Sequence, residues 1–251
     1  MGPKVAFVFL LIAFAMLWFP IGQHAFLFEH WMKVGTFMAP FLLLVAFSFK
    51  QESDAEIEPR QLSVFLFVAY VVHQFEEHWI DLYGRFYAFK PYLNSFLSEM
   101  TGKAETTEFM SEASIFVINT SLVWLVAALA IWRGSTQIFA TLCLVAIVVV
   151  NSASHIIASV LHGSYNPGLA TAVFLFLPLG FFSVWKIHRS GFAGVYLVLA
   201  AMAWGLTAHV IMIAGILIMG KFEQIPEMAY FALLVAWSVL PVCIFRATKS
   251  Q

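Results

Sequence analysis

Residues 136–162 read TQIFATLCLVAIVVVNSASHIIASVLH, a stretch without a single Asp, Glu, Lys or Arg. A helix that crosses a bilayer needs about 20 mostly apolar residues, so this stretch is long enough for one. Its second half is not uniformly apolar. At helical spacing Asn151, Ser154, His155, Ser159 and His162 fall on one stripe with Ala158, while Ile156, Ile157, Val160 and Leu161 lie outside it. Inside a membrane such a stripe faces protein or water, not lipid. Hydrogen bonds that hold neighbouring helices together account for Ser154 and Ser159; His155 asks for more.

The rest of the chain has the same character. Of its 251 residues 62% are hydrophobic and 11% charged, and the mean hydropathy is +0.88. Soluble domains carry about 25% charged residues, so a water-facing surface of ordinary size cannot be built from this composition. The net charge of -1 offers no electrostatic footprint for nucleic acid. Apolar runs fall at about 5–22, 31–49, 61–80, 113–132, 136–162, 168–186, 191–219 and 227–246. Together they predict an all-α, polytopic transmembrane helical bundle of about eight spans. Pro40 interrupts the second run, which leaves seven spans as the alternative. The first run resembles a signal peptide, but the large or rigid residues Leu17, Trp18, Phe19 and Pro20 follow it, so it is read as a retained helix. Cys143 and Cys243 both lie in apolar runs and read as small buried hydrophobes.

The chain reads as one domain over 1–251, with one long connection at about 81–112. There Pro91, Tyr92, Leu93, Phe96, Leu97 and Met100 recur at helical spacing, which predicts a short helix in the membrane interface. Asn166-Pro167-Gly168 reads as a helix cap followed by proline at the first helical position. Lys and Arg favour the side that carries both termini, so the termini are expected in the cytoplasm and the protein in a bacterial inner membrane.

On that topology the histidines collect at the outer side: His24, His30, His73, His78, His155, His162 and His209, with Glu29, Glu76, Glu77 and Glu112. Each ionisable group in a span costs about 2.5–3.5 kcal/mol on insertion scales, so their grouping at one depth points to a site. The densest piece is His73-Gln74-Phe75-Glu76-Glu77-His78. On a helix Glu76 lies about 60° to one side of His73 and Glu77 about 40° to the other, a face that Tyr70 extends, while His78 points away. An imidazole and a carboxylate one turn apart can share a metal or pass a proton. The end of this helix at Glu77 and His78 can also simply lie wet among headgroups. Gly205 leaves room for a close helix beside His209, and Asn119 aligns with Glu112 seven positions earlier. Glu112 also fits as an acid favoured by a helix N-terminus.

His73, Glu76 and Glu77 carry a resemblance: the chain is similar to the bacterial membrane proteins named for an H-x-x-E-E motif. Asn151…His155 and Tyr165-Asn166-Pro167-Gly168 are compatible with it. The resemblance implies weight for the motif and no settled activity. The H-x-x-H-H box of membrane desaturases does not occur here.

These residues lead to an expected membrane metalloenzyme acting on a lipid-like or other hydrophobic substrate. His73, Glu76, His155 and His209 are expected to hold iron, zinc or manganese, with Glu77 and His162 beside them or at a second metal. Glu76, Glu77 and His155 are the expected catalytic groups. Tyr70, Asn151, Tyr165, Glu112, Asn119, His24 and His30 are the candidates for the site lining. Two other readings stay open: a metal-free acid/base isomerase or cyclase of isoprenoid lipids, and a transporter or ligand-binding membrane protein.

Overall fold

The computed structural model describes residues 24–49, 58–104, 106–134, 136–219 and 226–244. The expected span at 5–22 lies outside them, as does the side chain of His24. The described residues form helices α1 (His24–Ser48), α2 (Pro59–His78), α3 (Phe89–Thr101), α4 (Glu112–Arg133), α5 (Ile138–His162), α6 (Leu169–Arg189), α7 (Val195–Leu217) and α8 (Glu227–Ile244). No strand occurs among them, only an isolated bridge between Ile80 and Phe86. Every expected apolar run in the described residues coincides with a helix, and the short helix in the long connection is α3.

Among the described residues five helices are long and apolar enough to cross a membrane: Phe28–Ser48 of α1, then α4, α5, α6 and α7. The window of α4 is 89% buried, those of α6 and α7 only 28%. So α4 runs inside the bundle, while α6 and α7 expose apolar side chains such as Phe174, Phe181, Leu199 and Leu206, as lipid-facing helices do. Cys143 is buried, but Cys243, expected to be buried, is exposed on α8; both thiols are free.

α2 is a different kind of helix. Its last two turns carry His73, Gln74, Glu76, Glu77 and His78, all buried. It therefore packs at the centre, against α1, α4, α5 and α6. Buried polar groups must be paired, and the first pairing runs into α4. The Trp124 indole donates to Gln74 Oε1 at 3.0 Å, and Gln74 Nε2 donates to Asn119 Oδ1 at 3.0 Å. Asn119 in turn donates to the Ile115 carbonyl at 2.9 Å. An indole nitrogen can only donate, so the direction of the whole chain is set by Trp124.

Two helices widen into π-helical turns, Thr120–Leu125 in α4 and Ala172–Phe176 in α6. The second directly precedes Pro178, whose ring and missing N–H do not fit a regular turn. Both sit beside residues of the polar centre, Asn119 and Thr171.

The α5–α7 contact is close because Gly205 has no side chain: a Cβ there would lie 2.8 Å from Ala146 Cβ. This brings the face with His209 toward α5. Gly205→Val overpacks that contact. It is expected to lower stability by about 1–3 kcal/mol, read as a lower Tm in detergent; an unchanged Tm would show that the two helices separate freely.

Candidate metal centre

The adjacent carboxylates of α2 meet opposite surroundings. Glu76 is fully provided with donors. Its Oε1 accepts from Tyr165 Oη at 2.8 Å and from the Ala170 amide at 3.0 Å; its Oε2 accepts from the Thr171 amide at 2.6 Å and the Thr171 hydroxyl at 2.5 Å. The carboxylate thus sits on the N-terminus of α6, where free amides and the helix dipole favour negative charge. Burial, together with the neighbouring Glu76 carboxylate, holds the Tyr165 phenol well above the ordinary tyrosine range, so it stays a donor.

Glu77 is as deeply buried, yet its polar neighbours are imidazoles. His78 Nε2 lies 3.0 Å from Oε2, His73 Nε2 3.5 Å from Oε2, and His155 Nε2 3.3 Å from Oε1. The far nitrogens of two of these rings are held. Asn166 Nδ2 donates to the His155 carbonyl at 2.9 Å, which turns its Oδ1 to His155 Nδ1 at 2.6 Å. That oxygen can only accept, so His155 carries its proton on Nδ1. Thr171 spends its hydroxyl proton on Glu76, so it accepts from His73 Nδ1 at 2.8 Å. His73 therefore also presents a lone pair at Nε2, where Asn151 Nδ2 approaches to 2.9 Å. The third ring faces Asn119 Nδ2, already set as a donor, at 3.2 Å.

A buried carboxylate is thus ringed by three imidazole nitrogens, two of which, on His73 and His78, also face an amide donor. A buried carboxylate costs several kcal/mol unless positive charge is supplied beside it. One donor atom each of His73, Glu77 and His155 lies within 4.8 Å of the others. Neutral imidazoles held by a partner on the second nitrogen are how histidine ligands are commonly oriented. These three residues can hold a metal ion.

Gly168 closes the group from the α6 side. Its φ is 93°, and a Cβ there would lie 2.8 Å from Cε1 of both His73 and His155 and 3.3 Å from Glu77 Cβ. Only glycine fits both the conformation and the space.

Residues 64–183 match the model of a family described as proteins of unknown function with an HXXEE motif. The resemblance read from His73, Glu76 and Glu77 is borne out. The matched stretch runs from α2 into α6 and includes every residue of the centre; α7, with His209, lies beyond it. No curated protein and no solved structure matches the chain.

The other expected site residues fall in several places. Tyr70 packs its ring edge-on to His73, and Asn151 touches that ring directly. Asn119 reaches the centre through His78. His209 bonds the Gly205 carbonyl at 2.9 Å and is outside the converging group, though close enough to interact electrostatically with His155 and Glu77. His162 turns away to pack on Phe96 of α3, with Glu99 at 3.9 Å. Glu112 pairs with Lys90 at 2.9 Å. His30 stands half-buried on α1.

Four expectations need correction. Glu76 is not among the converging donors, because its four hydrogen bonds tie it to α6, and Glu77 takes that place. Asn166 does not cap a helix: α6 begins after Gly168, and the Asn166 side chain serves His155. Ser154 and Ser159 bond carbonyls of their own segment, Val150 and Ser164, rather than another helix. His78, expected to point away, is buried against Glu77 because α1 and α3 cover that side of α2 with Trp31 and Phe89. Thr171 was legible in no periodicity, since its role comes from lying on the first turn of α6 beneath Glu76.

The two carboxylates should respond oppositely to amidation. Glu76→Gln loses charge-assisted bonds and is expected to destabilise the protein by about 1.5–3 kcal/mol. Glu77→Gln places an amide donor against imidazole lone pairs and should leave the Tm unchanged or raise it. Thermal unfolding of both variants in detergent checks this; equal losses would mean that Glu77 too is a structural anchor.

Proposed function

We propose that the chain is a polytopic membrane metalloenzyme with about eight spans, in which His73, Glu77 and His155 hold iron, zinc or manganese near the outer side. The observation that carries this reading is the convergence of one donor atom each from the buried His73, Glu77 and His155 to within 4.8 Å. Two neutral imidazoles and a carboxylate, with no thiolate, suit these metals. The substrate is a hydrophobic molecule, because it has to reach a centre buried in an apolar bundle.

In this reading the residues around the centre divide the work. Asn166 fixes the tautomer and the plane of His155. Thr171, itself held by Glu76, does the same for His73. Asn151 donates to the His73 lone pair and gives way when a cation takes it. Tyr165 closes the α6 side by holding Glu76 and accepting from the Leu82 amide at 3.1 Å. A metal held by His73, Glu77 and His155 would supply Lewis acidity toward a substrate, water or dioxygen.

A second reading is favoured by one specific feature. Tyr165, Glu76, Thr171, His73 and Glu77 form a continuous polar chain. A proton in place of the metal would make Glu77 and His155 an acid/base pair of an isomerase or cyclase.

The two readings separate on elemental analysis. Purified protein is expected to carry near-stoichiometric iron, zinc or manganese, and His73→Ala and His155→Ala to lose most of it. Binding should weaken as pH falls, because the imidazoles must be neutral and the carboxylate ionised, so that bound metal and protons compete. Glu112→Gln, away from the centre, should keep its metal. Protein without metal above background, or metal retained in His155→Ala, rejects the metalloenzyme and leaves the acid/base enzyme.

A further inference from the structure

We propose that residues 80–87 form a brace seated among phospholipid headgroups, at the end of the bundle that carries the centre, and that this brace holds Tyr165 over Glu76. The inference stands whether or not the centre holds a metal.

The chain leaves α2 at His78 and enters α3 at Phe89. Between them it makes a tight hairpin, closed by the bridge between Ile80 and Phe86. Asp81 is buried and organises the turn. Its Oδ1 accepts from the Tyr83 and Arg85 amides, each at 2.9 Å, and its Oδ2 from Arg85 Nε at 2.7 Å. Gly84, with φ 74°, supplies the left-handed turn. Tyr87 also has a positive φ, 55°, which strains a residue with a bulky side chain; its amide donates to the Trp79 carbonyl at 2.9 Å. The hairpin is thus fixed on both strands, yet it turns its large side chains outward. Leu82, Tyr83 and Phe86 are 63%, 66% and 62% exposed, and Tyr87 is 42% exposed.

The place of the hairpin says what covers these side chains. Leu82 comes soon after the end of α2, within about 14 Å of extended chain, so the tip lies close to the level where the spans end. Tyr83 packs edge-on to Tyr165 at 4.9 Å. Tyr165 follows the last turns of α5, where Ile157, Val160 and Leu161 are exposed, as on a lipid-facing helix. The hairpin therefore continues an apolar surface that meets lipid. Cations stand among its rings: Arg85 lies over Tyr83 and Tyr165, with its side chain 55% exposed, and Lys33 of α1 lies over Trp79 and Tyr87. Such a mixture fits the headgroup layer, where ring bodies meet acyl chains while hydroxyls and cations meet water and phosphate. A second protein chain fits less well. Four partly exposed side chains of this size present roughly 500 Å², short of the about 800 Å² per partner of a stable interface. The Leu82 amide donates to Tyr165 Oη at 3.1 Å, and that hydroxyl donates to Glu76. The seating of the tip thereby sets the position of Tyr165.

The test uses the full chain in lipid nanodiscs. Tyr83→Cys or Phe86→Cys, each with Cys243→Ser, carries an environment-sensitive nitrobenzoxadiazole dye. A spin label on the lipid headgroup should quench the dye at least threefold more than one at carbon 12 of the acyl chain. Iodide should quench it at least threefold less than the free dye. Should one label disturb folding, the other gives the same reading. In Tyr165→Phe the Leu82 amide loses its acceptor, and its hydrogen exchange should speed up at least fivefold. Iodide quenching equal to that of the free dye places the hairpin in water and overturns the inference. Stronger quenching from carbon 12 places it in the acyl core and overturns it too. Protection from iodide without quenching by either lipid label means that protein covers the hairpin, with the same consequence. Unchanged exchange at Leu82 in Tyr165→Phe removes the brace.

Discussion

Two ionisable carboxylates side by side on one buried helix are the constraint around which this bundle is arranged. Neither Glu76 nor Glu77 reaches water freely, and burying either without a partner costs several kcal/mol. The fold answers the two in different ways. Glu76 is neutralised by geometry, through the free amides of a helix start, a threonine and a tyrosine. Glu77 is surrounded instead by the imidazoles of His73, His78 and His155. One carboxylate fastens α6 to α2, and the fastening of α6 then sets the environment of the other.

The order of dependence is visible in the contacts. Because Glu76 holds the first turn of α6, Thr171 stands over His73 and Gly168 lies flat against both site imidazoles. Because the loop before it is drawn in, Asn166 reaches back along α5 to His155 at both its side chain and its carbonyl. The π-helical turns beside Thr171 and Asn119 fit this arrangement, since such turns shift the residues after them relative to a regular helix. On the far side Trp124, Gln74 and Asn119 form a chain of fixed direction that ends on His78. Polar networks of this kind specify one packing in a core that dispersion alone would leave permissive.

Helix positions, the polar stripe of α5 and the weight of His73 and His155 were legible in the sequence. Each depends on local chain properties: hydropathy over about 20 residues, and a repeat of 3.6 residues per turn. The same properties left open whether the polar end of α2 is covered by protein or lies wet among headgroups. They put Glu76 ahead of Glu77, although the two lie on either side of His73 on one face at angles of about 60° and 40°. That order was reversed by where the start of α6 docks, a contact between positions 94 and 95 residues apart. Likewise Asn166 has the residue type of a cap, and only the return of its loop to α5 makes it a partner for His155. His78 points away from His73 along its own helix; burial beside Glu77 came from α1 and α3, which no pattern within α2 encodes. The sequence by itself determined which segments are helices and which faces are polar, because those depend on neighbours along the chain. The tertiary structure decided which polar atoms meet, because that depends on helix docking over distances that no local periodicity carries.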